Sequence, residues 1–159
     1  MVAQILKGKR ILVVDDERDV LETVTDVLAS AKVVVVDNFE GAHALITKES
    51  FDLAILDIMG VNGFALLEAC RANKLPAAML TAHAINVESL NVAVKLGAVS
   101  FLPKEELHRL PEIIAEILEG LAQGQTHWFK LFKRLGPFFK EKLGVLWEDD
   151  DPKFPRTYY

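Results

Sequence analysis

The chain has 159 residues, of which 51% are hydrophobic and 26% charged, and its net charge is −5 at pH 7. This length favours one globular domain with room for an extension, and the composition excludes a disordered chain. No uncharged apolar run of about 18 residues is present, which argues against a membrane span. Because residues 1–9 also lack the apolar segment of a signal peptide, we expect a cytoplasmic protein. The single Cys70 excludes an internal disulfide framework.

Charge and aromatic content divide the chain near residue 123. Residues 1–124 hold 11 Lys/Arg and 18 Asp/Glu, whereas residues 125–159 hold 7 and 5. An acidic main part argues against nucleic-acid binding, which needs clustered positive charge. Nine of the 13 Phe, Trp and Tyr residues lie from Trp128 onward. We therefore predict a domain at 8–122 and an extension at 123–159.

Short apolar runs alternate with segments of helical periodicity along the first part of the chain. The apolar runs predict strands at 10–14, 32–37, 51–57, 76–82 and 98–104. The periodic segments predict helices at 20–28, 39–49, 63–73, 86–97 and 105–121, with a possible kink at Pro111 and Gly97 as a helix C′ residue.

Five strands that alternate with five helices imply parallel pairing and right-handed crossovers. The continuous apolar run 33–36 is typical of a sheet that is covered on both faces. We therefore predict an α/β fold with a doubly wound parallel sheet, in which ligands bind beyond the carboxyl ends of the strands.

Polar side chains stand at four of these carboxyl ends. Asp15 and Asp16 follow the first strand, Asp57 ends the third, Thr81 ends the fourth, and Lys104 ends the fifth. Each has an ordinary structural explanation, such as a helix cap for Asp16. Because parallel strands end at the same edge, the five together predict one polar site.

The excess of carboxylates in this site predicts a bound cation. Two carboxylates about 4 Å apart repel by roughly 4 kcal/mol at an effective dielectric constant near 20, and Lys104 offers one positive charge against three negative ones. Oxygen ligands without His or Cys suit Mg²⁺, which keeps several waters and readily accepts a phosphate oxygen. The site is therefore predicted to hold Mg²⁺ beside a phosphoryl group.

Four motifs in this order resemble the receiver domain of bacterial two-component response regulators. They are "VVDDE" at 13–17, "LDIM" at 56–59, "LTA" at 80–82 and "SFLPK" at 100–104. The resemblance covers about residues 8–121. It implies a CheY-like, flavodoxin-like fold with strand order 2-1-3-4-5 and five flanking helices.

The resemblance also implies residue roles. Asp57 would be the phosphoacceptor, attacking a phosphohistidine of a sensor histidine kinase or a phosphotransfer protein. Asp15, Asp16, Asp57 and the backbone carbonyl of Met59 would ligate Mg²⁺, and Lys104 would balance charge on the phosphoryl oxygens.

A switch and a mode of action follow from the same resemblance. Thr81 would bind the phosphate and move together with Phe101, which would alter the surface formed by the fourth helix, fifth strand and fifth helix. The protein would signal to a downstream protein target, and it would be a signalling domain rather than an enzyme.

The chain departs from the family pattern in two loops. Residues 59–63, "MGVNG", lack the usual proline, and their glycine comes about two positions early, so this loop is shorter. Pro103 precedes Lys104 and Glu105 follows it, so a cis Lys-Pro bond cannot form there.

The extension contains an amphipathic pattern. Trp128, Leu131, Phe132 and Leu135 share one helical face, with basic residues opposite. Three interpretations stay open: packing on the chain's own domain, a homodimer or partner contact through 126–147, or binding to a membrane surface.

Three other functions are alternatives to that of a phosphoacceptor. A degenerate receiver could act as an unphosphorylated scaffold, as the short loop allows. An aspartate-nucleophile phosphatase of the haloacid-dehalogenase type would want an acid two residues after Asp57, where Met59 stands. A nucleotide-binding domain would want glycines where "DDERD" places acids. His83, two residues after Thr81, could lie at the edge of the site.

Overall fold

The computed structural model describes residues 1–82 and 87–124, which form a central sheet flanked by helices. The strands are β1 (Arg10–Val14), β2 (Lys32–Val36), β3 (Leu53–Asp57), β4 (Ala77–Thr81) and β5 (Ser100–Pro103). The helices are α1 (Val2–Leu6), α2 (Arg18–Val27), α3 (Phe39–Lys48), α4 (Gly63–Ala72), α5 (Val87–Lys95) and α6 (Leu110–Ala122), and a 3₁₀ helix spans Lys104–Arg109.

The five strands form one parallel sheet in the order β2-β1-β3-β4-β5. This confirms the predicted doubly wound, flavodoxin-like fold. Helix α2 contacts α6, whereas α4 contacts both α3 and α5, so a helical layer covers each side of the sheet. At the carboxyl edge, Val14 aligns with Leu56, Asp57 with Leu80, and Thr81 with Pro103.

Burial differs between the central strands and the edge strand. Every residue of β3, β4 and β5 is buried, as continuous apolar runs predict for a sheet covered on both faces. Strand β2 is only partly buried, and Val35 is 43% exposed. The sheet is covered on both faces, as the run 33–36 predicted, but β2 itself is less buried because it is an edge strand with one neighbour.

Two helix ends follow from local sequence. The Asn38 side chain caps α3 by accepting a hydrogen bond from the Gly41 amide at 2.7 Å, a contact that contributes about 1 kcal/mol. After α5, Gly97 adopts a φ of 95°, and its amide bonds back to the Val94 carbonyl. This left-handed turn favours glycine, and it confirms Gly97 as the C′ residue.

The last predicted helix, 105–121, consists of two elements. A 3₁₀ helix begins at Lys104, and α6 begins only at Leu110. Pro111 lies in the first turn of α6, where its missing amide hydrogen leaves no helical hydrogen bond unmade. The proline thus marks the start of the helix instead of kinking its interior.

The short helix α1 was not predicted. Its five residues are too short a segment to show a helical period. Leu6 is only 1% exposed within the hydrophobic core, and α1 packs against α6. Residues before position 8 therefore contribute to the packed core of the sheet domain.

Candidate functional site

The carboxyl edge of the sheet brings the predicted polar side chains together. Asp15 directly follows β1, while Asp57 and Thr81 are the last residues of β3 and β4. Asp15 and Thr81 are fully buried and Asp57 is 5% exposed. Lys104 follows β5 and enters the same space from the start of the 3₁₀ helix. Polar side chains at this depth need partners or a ligand.

Lys104 is the positive centre of the site. Its Nζ lies 3.0 Å from Asp15 Oδ2, 3.0 Å from Glu17 Oε1 and 3.5 Å from Asp57 Oδ1. One ammonium therefore serves three carboxylates, which leaves negative charge unbalanced. This arrangement connects β1, β3 and β5 at their carboxyl ends.

The electrostatic environment shifts two pKa values. Burial raises the pKa of Asp15, although the hydrogen bond from the Glu17 amide and the contact with Lys104 partly oppose this effect. Burial alone would lower the pKa of Lys104, but its hydrogen bond to Glu17, its contact with Asp15 and the charge of Asp57 raise that pKa above its usual value. Lys104 is therefore fully protonated at neutral pH.

The turn after β1 fixes Asp15 by hydrogen bonds. Its Oδ1 accepts from the Glu17 amide at 2.8 Å, and its own amide donates to the Val36 carbonyl at 3.2 Å. Glu17 is the N-cap residue of α2, and no side chain caps that helix. The explanation of Asp16 as a helix cap therefore finds no support, and its exposed side chain is available at the rim.

The loop after β3 folds back tightly against the site. The Gly60 amide donates to Asp57 Oδ2 at 3.2 Å, while Lys104 lies near the other oxygen, Oδ1. The two contacts together orient this carboxylate. A Cβ at position 63 would overlap the main-chain oxygen of Asp57. A Cβ at position 60 would overlap the side chain of Asp16. A side chain at position 63 would therefore force the main chain to move, whereas one at position 60 would have to displace the Asp16 side chain.

The oxygen atoms present fit a hard divalent cation. Asp15, Asp16 and Glu17 each offer a carboxylate oxygen, and these atoms lie within 4.8 Å of one another. Among residues 1–82 and 87–124, buried Asp15 Oδ2 and Thr81 Oγ1 have no hydrogen-bond partner, although Lys104 is close to the former. Buried oxygens with unused acceptor capacity and no nitrogen or sulfur ligand are what Mg²⁺ or a phosphoryl group requires.

Two further residues reach the site that the sequence did not single out. Glu17 contacts Lys104, and Gly60 contacts Asp57. Glu17 belongs to the "VVDDE" motif, but its side chain is 62% exposed. The sequence pattern does not predict in which direction such an exposed side chain points. Gly60 lies in a loop whose path sequence periodicity does not describe.

The remaining residues named in the sequence analysis are buried, exposed or outside the described part of the chain. Phe101 is completely buried in β5 beside Met79 of β4, and the Met59 side chain is 72% exposed. His83 and the extension from residue 125 onward lie outside the described residues. Burial raises the pKa of the Cys70 thiol to about 12, so this side chain is an inert part of the core.

Comparison with known proteins identifies the family. Residues 11–116 match the response regulator receiver domain family. The chain belongs to this family. The predicted resemblance is therefore confirmed, and the chain contains a receiver domain, which is a signalling domain.

Relatives of this receiver chain include longer regulators. It is 35% identical over 125 residues to the regulatory protein VanRc of Enterococcus gallinarum, covering 76% of this chain and 53% of that protein. It is 32% identical over 123 residues to the transcriptional regulatory protein CpxR of Escherichia coli K12, covering 75% and 51%. The chain therefore spans about half the length of these curated relatives.

Solved structures show the same receiver fold. The CheY-like receiver domain protein of Methanospirillum hungatei JF-1 is 27% identical with a TM-score of 0.67, covering 74% of this chain and 98% of that one. The receiver domain of NtrX from Brucella abortus is 31% identical with a TM-score of 0.61, covering 69% and 98%. In the part of the receiver chain that the structure describes, no helix is long and apolar enough to cross a membrane.

Proposed function

We propose that this receiver domain accepts a phosphoryl group on Asp57 from a histidine kinase or phosphotransfer protein. The reaction depends on Mg²⁺, and the phosphorylated domain signals through protein contacts. The observation that carries the proposal is the position of Asp57: its carboxylate is 5% exposed and has Lys104 Nζ 3.5 Å from one oxygen. Asp15, held by the same lysine, adds the negative charge that a metal would offset.

Phosphoryl transfer to Asp57 requires one bond to form and one to break. An oxygen of the Asp57 carboxylate bonds to phosphorus while the phosphorus–nitrogen bond of the phosphohistidine breaks. The imidazole nitrogen keeps the electron pair of the broken bond. When the other ring nitrogen carries a proton, the leaving group is a neutral imidazole, so no acid residue has to protonate it. The exposed Met59 side chain, which offers no proton, is compatible with this reaction.

Each neighbouring residue has a role in the proposal. Asp15, Asp16, Asp57 and the Met59 carbonyl would hold Mg²⁺, which supplies positive charge for the phosphoryl oxygens. Lys104 keeps its proton and adds a second positive charge beside Asp57. It already contacts carboxylates from two strands, so little reorganisation is needed.

Two buried side chains would connect the phosphate to the surface. Thr81 Oγ1, which has no hydrogen-bond partner among the described residues, would donate to a phosphate oxygen. Movement of Thr81 toward the phosphate would leave space into which Phe101, from the adjacent strand, could repack. A downstream protein would recognise the altered α5–β5–α6 surface.

Phosphorylation of the intact chain tests this proposal. With acetyl phosphate and Mg²⁺, we expect the intact mass to increase by one phosphoryl group, in a form that hydroxylamine removes. The increase should be absent in Asp57→Asn and present in Asp26→Asn, whose carboxylate is exposed on α2. No increase in the wild type would favour the alternative of an unphosphorylated scaffold, and release of phosphate from small phosphoesters would favour a phosphatase.

A further inference from the structure

Gly60 of the shortened loop lies very close to the Asp16 side chain. A Cβ built at position 60 would overlap Asp16 Oδ1, and it would lie 2.5 Å from Asp16 Cγ and 2.7 Å from Oδ2. All three nearest atoms belong to the carboxylate group of Asp16. That carboxylate therefore lies directly against the main chain of the loop.

Backbone conformation does not explain the glycine at position 60. Among the described residues, positive φ values occur at Gly8, Gly97 and Gly124 and at two non-glycine residues, and Gly60 is not among them. Alanine could therefore adopt the backbone conformation of position 60 without strain. The three atoms nearest to a side chain at this position all belong to the Asp16 carboxylate.

Gly60 also acts on Asp57 through its amide. The N–H group donates to Asp57 Oδ2 at 3.2 Å, while Lys104 lies 3.5 Å from Oδ1. One loop residue therefore contacts both the carboxylate proposed to accept phosphate and a carboxylate proposed to bind the metal. An alanine would keep the amide and disturb only Asp16.

We infer that Gly60 is a positioning residue for the metal site. Because glycine has no side chain, the Asp16 carboxylate can lie against the loop and face the site. This inference rests on the proposed Mg²⁺ role of Asp16. Because the overlapping atoms are the end of an exposed side chain, Asp16 can swing into solvent at little cost to folding. Alanine at position 60 therefore displaces a ligand without unfolding the loop.

The test is a cycle of Gly60→Ala, Asp16→Ala and the double variant, titrated with MgCl₂ and followed by the backbone amide resonance of residue 60. We expect Gly60→Ala to weaken Mg²⁺ binding about tenfold, approaching the loss in Asp16→Ala. In the Asp16→Ala background, the same substitution should leave the Kd unchanged, because the three atoms nearest to the added Cβ are gone. The urea midpoint of Gly60→Ala should match that of the wild type.

Gly63→Ala is the matched contrast within the same loop. Its Cβ would overlap the main-chain oxygen of Asp57 and lie 2.9 Å from the Ile58 Cα, so the backbone itself must move. This variant should lose stability and Mg²⁺ binding together. Such a paired loss in Gly60→Ala would overturn the inference, because it would indicate general disruption of the loop.

Two results separate this inference from the proposed function. Wild-type Mg²⁺ affinity in Asp16→Ala would refute the metal role of Asp16 itself. Weakened binding in Asp16→Ala with wild-type affinity in Gly60→Ala would refute only the positioning role of Gly60. If Gly60→Ala weakened Mg²⁺ binding equally in the wild type and in Asp16→Ala, the positioning role would also be refuted. Such additive losses would show that Gly60 acts independently of Asp16.

Discussion

Asp15 carries the largest electrostatic cost among the residues of the site. Its side chain is fully buried, and its two neighbouring carboxylates, Glu17 and Asp57, share the single ammonium of Lys104. Burial raises its pKa, so the folded domain holds a proton on Asp15 more tightly than the unfolded chain does. The negative charge of Asp15, which would attract a metal ion, therefore lowers the stability of the metal-free domain.

Asp15→Asn is accordingly expected to stabilise the metal-free domain at pH 7. A raised folded-state pKa means that ionisation of Asp15 disfavours the fold, and each tenfold change in its acidity constant corresponds to about 1.4 kcal/mol. Urea denaturation in EDTA measures this gain. The gain should shrink as pH falls through the folded-state pKa of Asp15, because protonation then removes the same charge from the wild type.

A loss of stability in Asp15→Asn at pH 7 would contradict this account. It would mean that the ion pair with Lys104 outweighs the cost of burying the carboxylate. Asp26→Asn, at an exposed position on α2, controls for general effects of removing a negative charge and should change stability by no more than about 0.5 kcal/mol.

Individual residues of the site differ in how far the sequence predicts them. Asp15, Asp57, Thr81 and Lys104 follow from strand ends, because a parallel sheet gathers its carboxyl termini at one edge. The contact of Glu17 with Lys104 depends on the direction of an exposed side chain, and the overlap of Gly60 with Asp16 depends on the path of a loop. Neither has a periodic signal in the sequence.

Among the elements, the five strands and four of the five predicted helices lie within two residues of their predicted ends, whereas the last predicted helix divides into two elements. Runs such as 53–56 are apolar throughout because helices cover both faces of the sheet, and this pattern is visible without a structure. The 3₁₀ helix at Lys104–Arg109 is followed directly by α6. The spacing of apolar residues therefore predicted one continuous helix instead of two elements. Helix α1 is a single short turn that gains its stability from packing on α6.

Leu6→Ala tests the contribution of α1. The side chain is 1% exposed within the core, and truncation of such a leucine lowers the free energy of unfolding by roughly 2–5 kcal/mol. Gln4→Ala, on the exposed side of the same helix, should change it by less than about 0.5 kcal/mol. Equal urea midpoints for the two variants would show that α1 does not pack on the domain.

At the scale of the whole molecule, the chain combines an acidic receiver part with a basic, aromatic segment. Residues 1–124 carry 18 Asp/Glu against 11 Lys/Arg, and most aromatic residues lie beyond them. Among the described residues, the hydrophobic core includes side chains of α6, which ends at Ala122. The boundaries at 8–122 and 123–159 remain predictions, as does the role of the extension.

Truncation after Ala122 separates the two parts. We expect a folded domain that still accepts phosphate, because every residue of the proposed site precedes that point. Self-association, measured by light scattering, should weaken if residues 126–147 form a homodimer contact. An insoluble truncated chain would instead indicate that the extension packs on its own domain.

The central claim is that Asp57 accepts the phosphoryl group, and locating the modified residue tests it most directly. After reaction with acetyl phosphate and Mg²⁺, borohydride reduction converts an aspartyl phosphate into homoserine, which peptide mass spectrometry assigns to a position. We predict homoserine at position 57 and at no other aspartate, with none formed when EDTA replaces Mg²⁺. Homoserine at Asp15 or Asp16, or its absence throughout the chain, would contradict the account.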